Sequence, residues 1–228
     1  MLNWLNPDEL IRIYRDPIAL AILLVDLFPL FAVLSLGWGA AALVFLYWLE
    51  NLVIGVVALA RMTAASMSEH PIGAIGMLLT GPFFIVHYGL FCFVHGVFVF
   101  SFATGLDAEI GFPDPFGLIT AALGSGAHME VFLGAIILLQ IILFVTDYLI
   151  NGAYKRAEVQ KEMMAPYGRI MILHVGLFAG MAALIAFGQP LWGILALIGL
   201  RMLWGVFQVR QRAIARDAET KVDGPSPI

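Results

Sequence analysis

Residues 81–102 read GPFFIVHYGLFCFVHGVFVFSF, an apolar and aromatic run that holds His87 and His95 but no acid, lysine or arginine. As a helix it is long enough to cross a hydrocarbon core of roughly 30 Å. Two imidazoles placed in hydrocarbon are expensive, so they face protein or trapped water. The stretch therefore predicts a membrane-spanning helix that lines a polar site inside a bundle.

Composition points the same way. Of 228 residues, 61% are hydrophobic and only 12% charged, and the mean hydropathy of +0.94 lies outside the range of soluble globular domains. Apolar runs of about 20 residues recur, and the alternating pattern of a membrane β-barrel does not. An all-α polytopic bundle follows, with about six transmembrane helices near 17–36, 40–60, 82–104, 130–151, 170–187 and 191–208. The single cysteine, Cys92, excludes an internal disulfide and a multi-cysteine metal site. It suits a small buried hydrophobe.

Residues 1–16 predict an interfacial amphipathic helix, capped by Asn6 with Pro7 and Glu9, its Arg12 and Arg15 turned to lipid phosphates. Residues 72–79 are a re-entrant or interfacial piece, or the start of a long third span. Asp114-Pro115 opens a surface helix over 115–123 in an outer loop free of Lys and Arg. Gly89 and Gly96 are read as helix-packing positions, as are Gly176 and Gly180, whose spacing offers a face for a homodimer or a larger membrane complex. Residues 210–228 predict a disordered polar tail.

The basic residues fix the orientation. With the N-terminus inside, Arg12, Arg15, Arg61, the cations of 152–169 and those beyond 209 are all cytoplasmic, and only Arg201 falls within a span. The positive-inside rule thus predicts six spans, both termini cytoplasmic, in a prokaryotic inner membrane. The cluster from Arg210 to Arg216 is read as topology and anionic-lipid contact, not as a nucleic-acid surface.

Counting along each helix sorts the intramembrane polar groups into two layers. Asp26, Glu50, Asn51, His95, Gln140 and Arg201 fall near the midplane, where they form either a network gluing helices together or a proton or ion path. His87, Asp147, Asn151 and His174 fall roughly 10 Å nearer the cytoplasm. His87, His174 and Asp147, with Glu50 a turn away, make the imidazole and carboxylate set that zinc or non-haem iron uses. No H-x-x-x-H or E-x-x-H spacing ties these ligands together.

The blocks Tyr47-Trp48-Leu49-Glu50-Asn51, Pro82-Phe83-Phe84 to His87-Tyr88-Gly89, Val94-His95-Gly96-Val97-Phe98, Ala165-Pro166-Tyr167 and Leu173-His174-Val175 occur in that order. Over about 20–208 the chain resembles an uncharacterised family of bacterial and archaeal integral membrane proteins, a domain of unknown function. The resemblance implies no reaction, substrate or cofactor. It marks Glu50, His87, His95 and His174 for testing, and it implies a lysine where this chain carries Arg201. Three functions are compatible with the sequence: a membrane-embedded metalloprotein or enzyme, a small proton- or ion-coupled transporter or channel, and a structural partner of a membrane complex.

Overall fold

The computed structural model describes residues 11–68, 71–104 and 114–168, together with 170–171, 174–175, 198–199, 202–203 and 205–214. Every regular element among them is helical. The first ten residues, most of the fifth and sixth spans expected from the sequence, Arg201, Gly176, Gly180 and the tail beyond 214 lie outside the described residues.

Helix α1, Pro17–Leu36, begins where the Asp16 carboxylate accepts the Ile18 N–H at 3.1 Å and Pro17 supplies a preset φ. It ends at Gly37, whose φ of +68° is left-handed. Trp38 N–H then returns to the Ala32 carbonyl at 3.2 Å. Helix α2, Ala40–Ser66, runs past Arg61 instead of closing at residue 60. Helix α3, Pro71–Thr104, is continuous through Pro82, so residues 72–79 form the start of a long third helix and not a re-entrant piece. Helix α4, Pro115–Leu123, starts as expected, with Asp114 accepting from Gly117 N–H at 2.8 Å. Its Leu118 and Ala122 are nonetheless fully buried in the main core. Helix α5, Met129–Leu143, passes directly into a π-helical stretch, Phe144–Ile150, and then a 3₁₀ turn, Ala153–Arg156. Residues 159–168 and 205–214 are helical too.

Four described segments are long and apolar enough to cross a bilayer: Pro17–Leu36, Ala40–Ser66, Ile75–Ser101 and Met129–Ile150. Leu34, Val56, Leu79, Val86, Phe98 and Ile150 point outward from them. Water would penalise so much exposed apolar surface, whereas lipid would not. These helices fit a membrane protein. Within that set α2 is the axis: 61% of its most apolar window is buried, against 22–33% for the others.

A pair of reciprocal contacts joins α2 to α3. Trp48 on α2 donates its indole N–H to the Cys92 carbonyl at 2.8 Å, and Tyr88 on α3 donates its hydroxyl to the Asn51 carbonyl at 3.0 Å. Each carbonyl also takes the N–H four residues on, which belongs to Gly96 or Gly55. Those residues are glycines for a spatial reason: a Cβ on Gly96 would lie 2.7 Å from the Trp48 ring, and one on Gly55 would strike Tyr88. Trp38 also donates to a backbone carbonyl, that of Ala127 at 3.1 Å in the turn before α5, with its ring against Gly126. Gly89 has nothing within 4 Å of a Cβ built on it and faces outward.

Gly96→Ala should accordingly destabilise the protein by about 1–3 kcal/mol, the usual range for overpacking a rigid contact. Gly89→Ala should be neutral or slightly stabilising, because alanine is the better helix former. Denaturation of the two variants in detergent, followed by Trp fluorescence, checks both outcomes.

Candidate functional site

A cavity of about 440 Å³ opens between α1, α2, the α5 and π-helical run, and residues 159–168 and 205–214. At its inner end stand Asp26, Glu50 and Gln140. Glu50 lies about 15 Å along α2 and Asp26 about 14 Å along α1, each well inside its apolar helix by helical rise. They are 2% and 8% exposed, values rare for carboxylates and normally met only where function or a partner requires them. Asp26 is seated against the backbone of Gly205, where any side chain would collide with its carboxylate.

The outer end is ionic. Arg61 Nε lies 3.3 Å from Glu162, and Arg212 pairs with Asp147. Tyr148 braces this rim from behind, its hydroxyl donating to the Arg61 carbonyl at 3.0 Å while the Arg61 guanidinium sits 4.3 Å over its ring. Among the described lining residues four carboxylates face two guanidiniums, so the walls favour a proton or a cation over an anion.

The π-helical stretch shapes the site. Inserting an extra residue per turn rotates every side chain beyond it, and such wide turns concentrate at functional positions. Asn151 N–H accordingly reaches the Thr146 carbonyl, five residues back, at 3.0 Å. Gln140 and Asp147 both line the cavity, as their spacing predicts, but Asn151 falls in the exposed turn beyond it.

The histidines are elsewhere, and none of those described lines the cavity. His95, buried on α3, meets His174 edge to face with ring centroids 4.6 Å apart, and Phe91 packs against both. His174 Nδ1 lies 2.9 Å from the Ile170 carbonyl, which can only accept. Nδ1 therefore carries the proton of that contact. His87 is exposed on α3, stacks on Phe83, and places Nδ1 2.8 Å from the Tyr167 hydroxyl. Burial, then the nearby Cys92, raises the Tyr167 pKa, so the phenol keeps its proton.

The two expected layers are thus sorted by chemistry and not by depth. His95 joins His174, while Asp147 joins Asp26 and Glu50 around one cavity. His87, His174, Asp147 and Glu50 are spread over three surroundings, and among the described residues no group of three or more His, Cys, Asp or Glu is gathered to hold a metal ion. Glu162 and Gly205 line the cavity although the sequence did not single them out, since neither carries a local motif, and Arg212, read from the sequence only as part of a basic cluster, lines it too.

The family model for a family of unknown function, DUF6498, matches residues 10–222. The chain belongs to that family. No curated protein and no solved structure matches it. Family membership brings no reaction with it, so the geometry of the cavity carries the functional argument.

If Arg212 and Asp147 are coupled as their contact implies, a double-mutant cycle with Asp147→Asn and Arg212→Gln should return an interaction of about 0.5–3 kcal/mol. Unfolding in detergent checks it. Arg61 and Glu162, whose arginine is the more exposed of the two, should return about 1 kcal/mol or less.

Proposed function

We propose that this family member is a six-span protein of a prokaryotic cytoplasmic membrane, both termini inside, and that it is a small proton- or cation-coupled transporter or channel. One observation carries the reading: a cavity that reaches from two buried carboxylates well inside their apolar helices, Asp26 and Glu50, to an ion-paired rim. The charge bias of Lys and Arg along the sequence supports the orientation.

In this reading Asp26 and Glu50 form the inner binding station, where a proton or small cation offsets carboxylate charge that hydrocarbon would otherwise penalise. Gln140 supplies a neutral polar contact beside them. The rim pairs Arg61–Glu162 and Arg212–Asp147 hold the cytoplasmic mouth, and breaking and remaking them is a way to open it to water. The π-helical turn carrying Asp147 is the element suited to that movement. The zinc or iron reading is weaker, because it needs His87, His174, Asp147 and Glu50 to converge from separate surroundings. A purely structural role, in which the polar groups glue a dimer or a larger complex, is the remaining competitor.

Purified protein in proteoliposomes tests the proposal. An imposed pH gradient, or a Na⁺ or K⁺ gradient, should dissipate faster than in empty liposomes, and Glu50→Gln should remove most of the excess. Wild-type liposomes no leakier than lipid alone under all three gradients would overturn it. If Glu50→Gln lowers only the thermal midpoint and leaves flux intact, the structural role is correct instead.

A further inference from the structure

A second, smaller cavity of about 240 Å³ lies beside the first, between the turn that precedes α1 and the helix over 205–214. Its walls are Arg12, Asp16 and Arg212 among the small and apolar residues Ile13, Ala19, Val209 and Ala213. The seam behind it is a hydrophobic contact: Ile13, Ala19 and Val209 are buried together, with Tyr14 and Ile22 packed on them. One wall of the cavity is therefore packed hydrophobic contact.

Its level relative to the bilayer follows from α1. Pro17 opens a 20-residue apolar helix, so the residues just before it stand where hydrocarbon gives way to headgroups. Two guanidiniums border a recess at that level, one from each side of the seam. Its described walls hold one carboxylate beside the two guanidiniums, Asp16, which also accepts the Ile18 N–H through Oδ1, so the charge of the walls is still net positive. Guanidinium groups bind phosphate oxygens through paired N–H donors, and a basic recess at headgroup depth suits an anionic phosphate head.

We infer that Arg12 and Arg212 form a binding site for an anionic phosphate group, that of a lipid headgroup, at the seam between the start of α1 and the helix over 205–214. Arg212 also forms a wall of the larger cavity and pairs there with Asp147. A phosphate drawing on the same guanidinium loosens its hold on Asp147, so lipid occupancy adjusts the rim of the carboxylate cavity. The binding site itself requires only that the chain sits in a membrane; this last link rests on the proposed role of the cavity.

Native mass spectrometry of protein released from nanodiscs tests the site, with phosphatidylglycerol or phosphatidylcholine as the lipid. Wild type should retain phosphatidylglycerol specifically. Arg12→Gln should reduce its retention on the order of fivefold or more, about the contribution of one well-placed arginine at an anionic surface. Arg212→Gln should do the same, while Arg15→Gln, an exposed neighbour that does not line the recess, should have little effect. Inorganic phosphate added to phosphatidylcholine nanodiscs separates the sources: protection from thermal unfolding that Arg12→Gln removes would show the site taking free phosphate. Equal losses for Arg12→Gln and Arg15→Gln, or no preference of wild type for phosphatidylglycerol, would overturn the inference. Because Arg12 stands outside the larger cavity, flux through Glu50 should survive Arg12→Gln. Failure of the lipid site and failure of the transport reading therefore give different results.

Discussion

The α2–α3 seam rests on one constraint: an indole N–H or a phenol O–H inside a membrane must find an acceptor within the protein, and most backbone carbonyls there are already engaged. A helix carbonyl has a second lone pair, but it is normally screened by the side chain one turn on. Glycine removes that screen. Trp48 reaches the Cys92 carbonyl over Gly96, and Tyr88 reaches the Asn51 carbonyl over Gly55, so α2 and α3 are clasped in both directions. Hydrocarbon exerts no hydrophobic pressure between such helices, and close packing with hydrogen bonds has to hold them. The clasp provides both, and it sets the axial register of α3 against α2.

That register decides where the polar groups fall. Glu50 is flanked in sequence by Trp48 and Asn51, the two residues that take part in the clasp. Side chains at 48 and 51 share the face toward α3, and 50 is turned about 160–200° from 48 by helical geometry, toward α1 and α5. The same contact that fixes α3 therefore points Glu50 into the cavity on the opposite side. His95 follows the other branch. It lies on the α3 turn that carries Cys92 and Gly96 and looks toward residues 170–175. Separation of the carboxylates from the histidines is a consequence of which face of the α2–α3 pair each occupies.

Much of this was legible in the residues. Pro17, Gly37 and Asp114 mark element ends whose chemistry is local, and the structure places those boundaries where the caps demand. The burial of Asp26 and Glu50 is legible too, because a charge in an apolar run has few other options. What sequence spacing could not supply is lateral position. Depth counted along a helix put His174 with His87 and Asp147, since counting ignores azimuth; the structure sets it against His95. The π-helical stretch after Leu143 was equally invisible, for it breaks the 3.6-residue period by which helical faces are counted. Gly55 and Gly205 show the same limit from another side. A glycine in an apolar helix signals close approach, but not whether a ring, a carboxylate or nothing at all approaches it, and Gly89 is a case of nothing.

The extension of α2 past Arg61 ties these local facts to the proposed chemistry. Had the helix ended at that cation, Arg61 would sit in a solvated loop as an ordinary topology signal. Because it continues to Ser66, the Arg61 carbonyl is held in place to receive the Tyr148 hydroxyl, and its guanidinium lies on the Tyr148 ring and beside Glu162. One residue thus connects the helical axis, the π-helical turn and the segment over 159–168. A rim built this way is stiff on the α2 side, where ladder, hydroxyl and ring all engage Arg61. Across the cavity, Asp147 is carried on a wide turn and its partner Arg212 on a separate helix. In the proposed transport reading this asymmetry assigns movement of the π-helical turn to the Asp147–Arg212 side, the side on which the smaller recess also lies.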